Sequence, residues 1–269
     1  MKDFFYEEKN GLRTLKCRAL AEAGIPHGFS TRQGGVSQGY LSSLNFAYNR
    51  EDAANVDENF RRFCAANHLP FDSMVLTHQT HTDNVAIVGE AFKNKGRERS
   101  LRDTDGLVTA EPGLGLVCFV ADCVPILLAD PMAKVVAAVH SGWRGTVAGI
   151  GARAVEKMQV LGADPQNIIA AIGPSIGPCC FEVGPEVQAE FDKAFPGRLP
   201  LLPSHREGHS MIDLWQACRL VLEEAGLAKN HIFGCKICTQ CNNQEFYSHR
   251  YTNGRRGNLI GAIGLEDSK

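Results

Sequence analysis

Residues 115–121 (GLVCFVA) and 124–129 (VPILLA) are apolar at every position, and a third run, 134–140 (KVVAAVH), follows through the short turn DPMAK. Unbroken apolar character over six or seven residues, rich in valine, isoleucine and leucine, is what a strand buried on both faces requires. Runs joined by so few residues pair most easily as antiparallel neighbours, because a parallel crossover needs a dozen residues or more. Further short runs at 74–77, 83–88, 168–172 and 258–263 read as strands too.

Helical spacing is found over 54–67, through Val56, Phe60, Phe63 and Cys64, and over 147–161, through Val147, Ile150, Ala154, Met158 and Leu161. A third helix is expected at 213–225, opening on Asp213 as N-cap and stopping at Gly226, and a shorter one at 184–195. Strands outnumber helices and often follow one another directly. The expected fold is therefore α/β (α+β) with mixed β-sheets rather than regular βαβ winding. With no fixed-period repeat, low-complexity stretch or linker, residues 1–269 read as one domain.

The net charge of −2, with both signs spread along the chain, offers no footprint for nucleic acid or for an anionic membrane surface. The longest apolar stretch is interrupted at Asp122, short of a membrane span, and the charged start MKDFFYEEKNG lacks a signal-type apolar segment, so a cytoplasmic setting is expected. In that setting the ten cysteines read chiefly as small buried hydrophobes rather than as a disulfide framework.

Polar side chains that interrupt or end such runs are the candidates for chemistry. They are His78 or His81 in LTHQTHTDN, Cys123 in CFVADCVPILLAD, and His140 in AVHSGWRGT. Two imidazoles and a thiolate are zinc ligands, and three protein ligands leave one tetrahedral position open, as in a catalytic site. Their spacing forms no short ligand motif, and each type taken singly is more often a packing residue. If 78–81 is extended, the odd separation of the two histidines sends them to opposite faces, so one at most enters a shared site. The same residues also allow a metal-free reading, with Cys123 as nucleophile and His140 as its base. Asp122 is a candidate general base or ligand-orienting group, or a cap on nearby backbone amides.

Two further features stand apart. The run CKICTQC spaces Cys235, Cys238 and Cys241 by two-residue gaps, as in iron–sulfur or zinc ligation, yet no fourth cysteine follows nearby; shielded loop thiols are the expectation. Arg32, Arg144 and Arg250, with Arg255 and Arg256 behind the last, lie in glycine-rich or polar surroundings suited to an anion. In AVHSGWRGT, Arg144 is expected just ahead of a helix, where its guanidinium and the helix amides face one phosphate.

Taken together, HGFSTRQGGVS, LTHQTHTDNV, DTDGLVT, GLGLVCFVADCVPILLAD, AAVHSGWRGT, IGPSIGPCCFEV, FYSHR and GRRGNLIGAI, in that order along the chain, resemble the YfiH-like family. That family has been described as multicopper polyphenol oxidase or laccase, as purine nucleoside phosphorylase, and as peptidoglycan editing factor. The resemblance implies a layered α/β/β/α fold with internal duplication, similar to cysteine hydrolases of the cytotoxic necrotizing factor type. It implies a metal centre, zinc with copper as the alternative, at His81, Cys123 and His140, and places Arg32, Cys180 and Arg250 around the same pocket. It further implies phosphorolysis of adenosine, inosine and methylthioadenosine together with adenosine deamination, so that nucleoside and phosphate are the expected partners. The combined His-x-Glu and Pro-Cys-x-x-Cys deaminase signature is missing, since no Pro-Cys-x-x-Cys occurs, so deamination would need another scaffold. A single His₂Cys cluster also sits poorly with multicopper oxidation, which needs several centres.

Overall fold

The computed structural model describes residues 2–94 and 101–267. Two six-stranded mixed sheets stack face to face. The first runs Phe4–Lys9, Leu12–Cys17, His27–Ser30, Leu259–Gly264, Gly115–Val120, Met74–Val75. The second runs Ile232–Gly234, Ile169–Ile172, Val124–Asp130, Val135–Ser141, Gly106–Thr109, Val85–Ile87. Most neighbours are antiparallel; Met74–Val75 on Gly115–Val120, Ile232–Gly234 on Ile169–Ile172, and Val85–Ile87 on Gly106–Thr109 are parallel.

Among the described residues six α-helices flank the sheets: α1 (Arg18–Glu22), α2 (Ala53–Asn67), α3 (Trp143–Val147), α4 (Ile150–Val160), α5 (Pro185–Ala194) and α6 (Leu214–Glu224). Among the described residues no helix is long and apolar enough to cross a membrane.

The period-2 alternation of side chains explains why whole strands are apolar. In Gly115–Val120, Leu116 and Cys118 face the second sheet and meet Leu127, Val136 and Ala138 in the inter-sheet core. Val117 and Phe119 face outward, where Val56, Phe60 and Phe63 of α2 cover them. On the far side, Ile126, Leu128, Ala137 and Val139 pack under α4 and α6. The order of layers is thus α/β/β/α.

Asp213 caps α6 by accepting from the Gln216 amide at 2.9 Å, as the sequence predicts. The helix expected over 147–161 is instead two: Val147 closes α3, and α4 opens after Gly149, whose φ of +78° is open to glycine and costly for other residues. The apolar-run reading missed Phe4–Lys9, Leu12–Cys17, His27–Ser30, Gly106–Thr109 and Ile232–Gly234.

Residues 115–130 do not form a hairpin, although only three residues separate the two strands. Gly115–Val120 belongs to the first sheet and Val124–Asp130 to the second, so Ala121, Asp122 and Cys123 carry the chain from one layer to the other. Asp122 makes the crossing with φ +84°, a left-handed conformation that aspartate tolerates better than most residues.

Candidate metal centre and active site

The register of the second sheet delivers the site. Val135–Ser141 pairs with Val124–Asp130 so that His140 lies opposite Pro125, two positions from Cys123. On the other edge of Val135–Ser141 the His140 amide donates to the Asp105 carbonyl at 2.7 Å, placing Asp105 beside the imidazole. The loop that follows Thr77–His78 then closes over the pair. His81 takes φ +66°, and the ligand atoms of His81, Cys123 and His140 all come within 4.8 Å of one another.

Because His81 is in the left-handed region, the segment 78–81 is not extended, and the face-alternation argument does not apply. His78 and His81 both line the same cavity, but only His81 joins the triangle.

Asp105, 1% exposed, organises both histidines. Its Oδ1 accepts from His140 Nδ1 at 2.7 Å and from the His81 amide at 3.0 Å. Its Oδ2 accepts from the amides of Thr80 and Thr82 and from the Thr82 hydroxyl, at 3.1, 3.0 and 2.9 Å. Burial pushes the carboxyl pKa up, but these donors, His140 foremost, win and hold it at about 2. With Nδ1 committed to Asp105, His140 turns Nε2 toward Cys123.

Burial likewise disfavours the thiolate of Cys123, yet His140 and His81 bring its pKa down to about 6. Burial disfavours the charged His140, yet Cys123 and Asp105 bring it up to about 9. Each group thus favours the charged form of the other against the cost of burial.

These residues fit a metal ion. The donor set is two imidazoles and one thiolate, with Cys123 Sγ 3.9 Å from His81 Nε2 and the rings of His81 and His140 4.9 Å apart and nearly perpendicular. Gly142 leaves the room: a Cβ there would sit 2.9 Å from His81 Cδ2 and 3.3 Å from Cys123 Sγ.

The cluster lies in a cavity of about 410 Å³, a size suited to a small-molecule ligand. Phe119, Trp143 and Phe181 supply aromatic walls, and Asn49, Gln79 and Asn258 polar ones. Gln79 is fixed by a paired contact with the Phe119 backbone, donating to its carbonyl at 2.8 Å and accepting from its amide at 2.7 Å.

One rim is cationic. Arg250 and Arg256 supply its charge, and His249 lines it with them. The pKa of His249 is lowered by burial and by the surrounding Arg256, Arg50 and Arg250. That of Arg256 is lowered by burial and by Arg50, and its buried Nε has no partner among the described residues.

Asp122 acts as a cap. It accepts from Thr239 Oγ1 at 2.6 Å, Ser248 Oγ at 3.1 Å and the Arg250 amide at 2.7 Å, which pins the C-terminal segment carrying His249 and Arg250 against the sheet crossing.

The other arginines are placed differently from the sequence expectation. Arg144 is the second residue of α3, exposed, with its guanidinium 4.2 Å over the Trp143 ring; Trp143 and not Arg144 lines the cavity. Arg32 donates to the carbonyls of Ser42 and Asn243 and stacks over Tyr247, outside the cavity lining. Arg255 lies over Tyr40. The Cys180 thiol sits 3.5 Å from that of Cys241, and only the Cys180 carbonyl reaches toward the site, accepting from Arg250 Nη1 at 3.4 Å. Two further site residues, Asp105 and Gln79, are not among the candidates read from the sequence, although both stand in resemblance blocks, DTDGLVT and LTHQTHTDNV.

Similarity to known proteins extends along most of the chain. A purine nucleoside phosphorylase of Deinococcus radiodurans is 40% identical over 256 residues, covering 95% of this chain and 94% of that one. A protein named adenosine deaminase RL5, from an unknown prokaryotic organism, is 37% identical, covering 82% and 87%. The crystal structure of YlmD from Geobacillus stearothermophilus superposes with a TM-score of 0.91 at 34% identity, covering 98% of this chain and 100% of that one. The family model described as multi-copper polyphenol oxidoreductase laccase matches residues 26–266, and the chain belongs to that family.

Proposed function

We propose that this chain is a purine nucleoside phosphorylase acting on adenosine, inosine and methylthioadenosine, with adenosine deamination as a second activity in the same cavity. The observation that carries the reading is the meeting, in one cavity of about 410 Å³, of the His81–Cys123–His140 cluster with the cationic rim of Arg250 and Arg256. Relatives similar along nearly the whole chain are named for both activities.

In phosphorolysis a phosphate oxygen bonds to the ribose anomeric carbon while the N-glycosidic bond breaks, its electron pair leaving on the purine nitrogen, which then takes a proton. Arg250 and Arg256 hold the phosphate by charge-assisted hydrogen bonds and position it in line with that carbon. Phe119, Trp143 and Phe181 stack against the base and keep water out. His81, Cys123 and His140 would hold a zinc ion, which would supply Lewis-acid chemistry next to the substrate. Asp105 keeps His140 in the tautomer that leaves Nε2 free.

A second reading has a specific observation behind it. Cys123, His140 and Asp105 line up as nucleophile, base and orienting carboxylate, the arrangement of a cysteine hydrolase editing a nucleotide-linked peptidoglycan precursor. His81 supports the first reading: a second imidazole against the thiol is redundant in such a triad and useful in a metal site. Copper-dependent polyphenol oxidation, the chemistry in the family description, would need further histidine-rich centres, whereas this cluster brings together two histidines.

The deciding assay incubates metal-loaded protein with inosine, with and without phosphate, and measures hypoxanthine and ribose 1-phosphate. Both products should appear only with phosphate. Equal hypoxanthine release without phosphate makes the enzyme a hydrolase, and no release in either case moves the assignment to the cell-wall precursor.

A further inference from the structure

Two cysteine pairs remote in sequence meet beside the cavity. Cys179 and Cys180 lie in the turn before Glu182–Val183; Cys238 and Cys241 follow Ile232–Gly234. The backbone brings them together: Ser175 bridges Cys238, the Ser175 amide donates to the Ile237 carbonyl at 3.2 Å, and the Thr239 amide donates to the Ser175 carbonyl at 3.0 Å. All four sulfurs lie within 4.8 Å of one another, with Cys241 3.5 Å from both Cys179 and Cys180. Cys235, the remaining cysteine of CKICTQC, is not part of this group and is buried between the sheets.

The spacing identifies the occupant. Zinc at about 2.3 Å from each of four thiolates sets those sulfurs about 3.8 Å apart, so this group can close on one ion with shifts of under about 1 Å. A four-iron cluster puts each cysteine on its own iron and drives the sulfurs further apart. A disulfide joins only two of the four and needs them about 2.05 Å apart. The Gly177 amide already donates to Cys238 Sγ at 3.3 Å, as for a thiolate held in a metal knuckle, and Cys238-Thr-Gln-Cys241 has the two-residue gap of such a knuckle.

We propose that Cys179, Cys180, Cys238 and Cys241 bind a structural zinc ion, separate from the His81–Cys123–His140 centre, that staples residues 173–183 to residues 235–250. Four protein ligands close the coordination shell, so this ion does no chemistry. Its effect is on the cavity wall. Ile176 and Phe181, on the first segment, line the cavity, and Arg250, on the second, donates to the carbonyls of Cys180 at 3.4 Å and Glu182 at 3.1 Å. The turn carrying Cys179 and Cys180 therefore aims the rim arginine, and the zinc fixes that turn.

The test is zinc content and zinc K-edge absorption of the full chain, purified under reducing conditions with zinc supplied. Wild type should carry two zinc ions per chain. Cys123→Ala should retain one, ligated by sulfur alone, and C238S/C241S should retain one with a nitrogen-rich shell. Chelation of zinc from Cys123→Ala should lower its Tm, and added zinc should restore it. Folded Cys123→Ala without zinc, an iron chromophore in its place, or a disulfide to Cys241 in non-reducing peptide maps would overturn the proposal. Loss of the ion with no change in Tm would overturn the stapling role. Should C238S/C241S not fold, wild type decides by itself: five sulfurs to two nitrogens over two ions supports the site, and one to two over a single ion refutes it.

Discussion

The Asp105 carboxylate accepts from Nδ1 of His140 at 2.7 Å while its two oxygens gather the amides of Thr80, His81 and Thr82. One buried side chain thus sets the tautomer of one candidate ligand and the backbone of the other. Asp105→Asn removes the charge and puts an NH2 group in place of one acceptor oxygen, so that either the two donors on Oδ1 or the three on Oδ2 lose their acceptor. It should lower metal affinity or activity about 10- to 100-fold with the fold intact. Metal titration with kinetics checks this, and wild-type values for both would remove Asp105 from the site.

Gly142 is close to the cluster in a way no side chain tolerates. In Gly142→Ala the new methyl meets His81 Cδ2 at 2.9 Å and Cys123 Sγ at 3.3 Å, so His81 must swing out. The variant should keep its circular dichroism spectrum and lose most bound metal. A full metal complement would show that the loop relaxes without moving the ligand.

In metal-free protein the Cys123 thiol, favoured as thiolate by His140 and His81 against the cost of burial, has a pKa of about 6. The thiolate is the reactive form, so alkylation of Cys123 should rise as pH passes through about 6 and be nearly level by pH 8. Iodoacetamide labelling followed by peptide mass spectrometry reads this residue apart from the other thiols. A midpoint near 9 would mean that the imidazoles do not stabilise the thiolate.

The cationic rim gives a kinetic signature. Arg256→Ala and Arg250→Ala should raise KM for phosphate about 10-fold or more, the loss of a charge-assisted hydrogen bond, while KM for inosine changes far less. Arg144→Ala, which removes an exposed side chain stacked on Trp143, should leave KM for phosphate near wild type. The opposite pattern would return the phosphate site to the start of α3.

Far from the cavity, buried His27 ties the first sheet together. Its Nε2 accepts from the Cys17 amide at 2.9 Å and its Nδ1 donates to the Ile25 carbonyl at 2.8 Å, so the neutral ring is the form that fits. Burial depresses its pKa from 6.5 to about 4. Between those values the unfolded chain binds the proton and the folded chain does not. The stabilisation is therefore complete above pH 6.5 and is lost as pH falls toward 4, by up to roughly 3 kcal/mol. His27→Gln should flatten this acid limb in denaturant melts at pH 7 and 4.5. An unchanged slope would assign the limb to other groups.

The layered architecture was legible where burial on both faces left its mark, in 115–121, 124–129 and 134–140, because position in a two-sheet core forces every side chain to be apolar. Short strands, or strands that carry polar residues, escaped that test even where they are buried, as His27–Ser30 and Gly106–Thr109 are at every position. Leu12–Cys17 carries Arg13 and Lys16, and Lys16 is buried only by pairing with Glu7 of Phe4–Lys9 at 3.2 Å, a relation visible once the hairpin is formed. Likewise Cys123 and His140 stood out as polar ends of apolar runs. The choice of His81 over His78 rests on one left-handed φ, the aim of Arg144 on a helix that begins one residue earlier, and the fourfold cysteine group on loops joined through Ser175 and Cys238. Residue types and hydrophobic periodicity are local and survive in the linear chain. Convergence of side chains across sheet crossings depends on register and backbone twist, which arise when the layers pack.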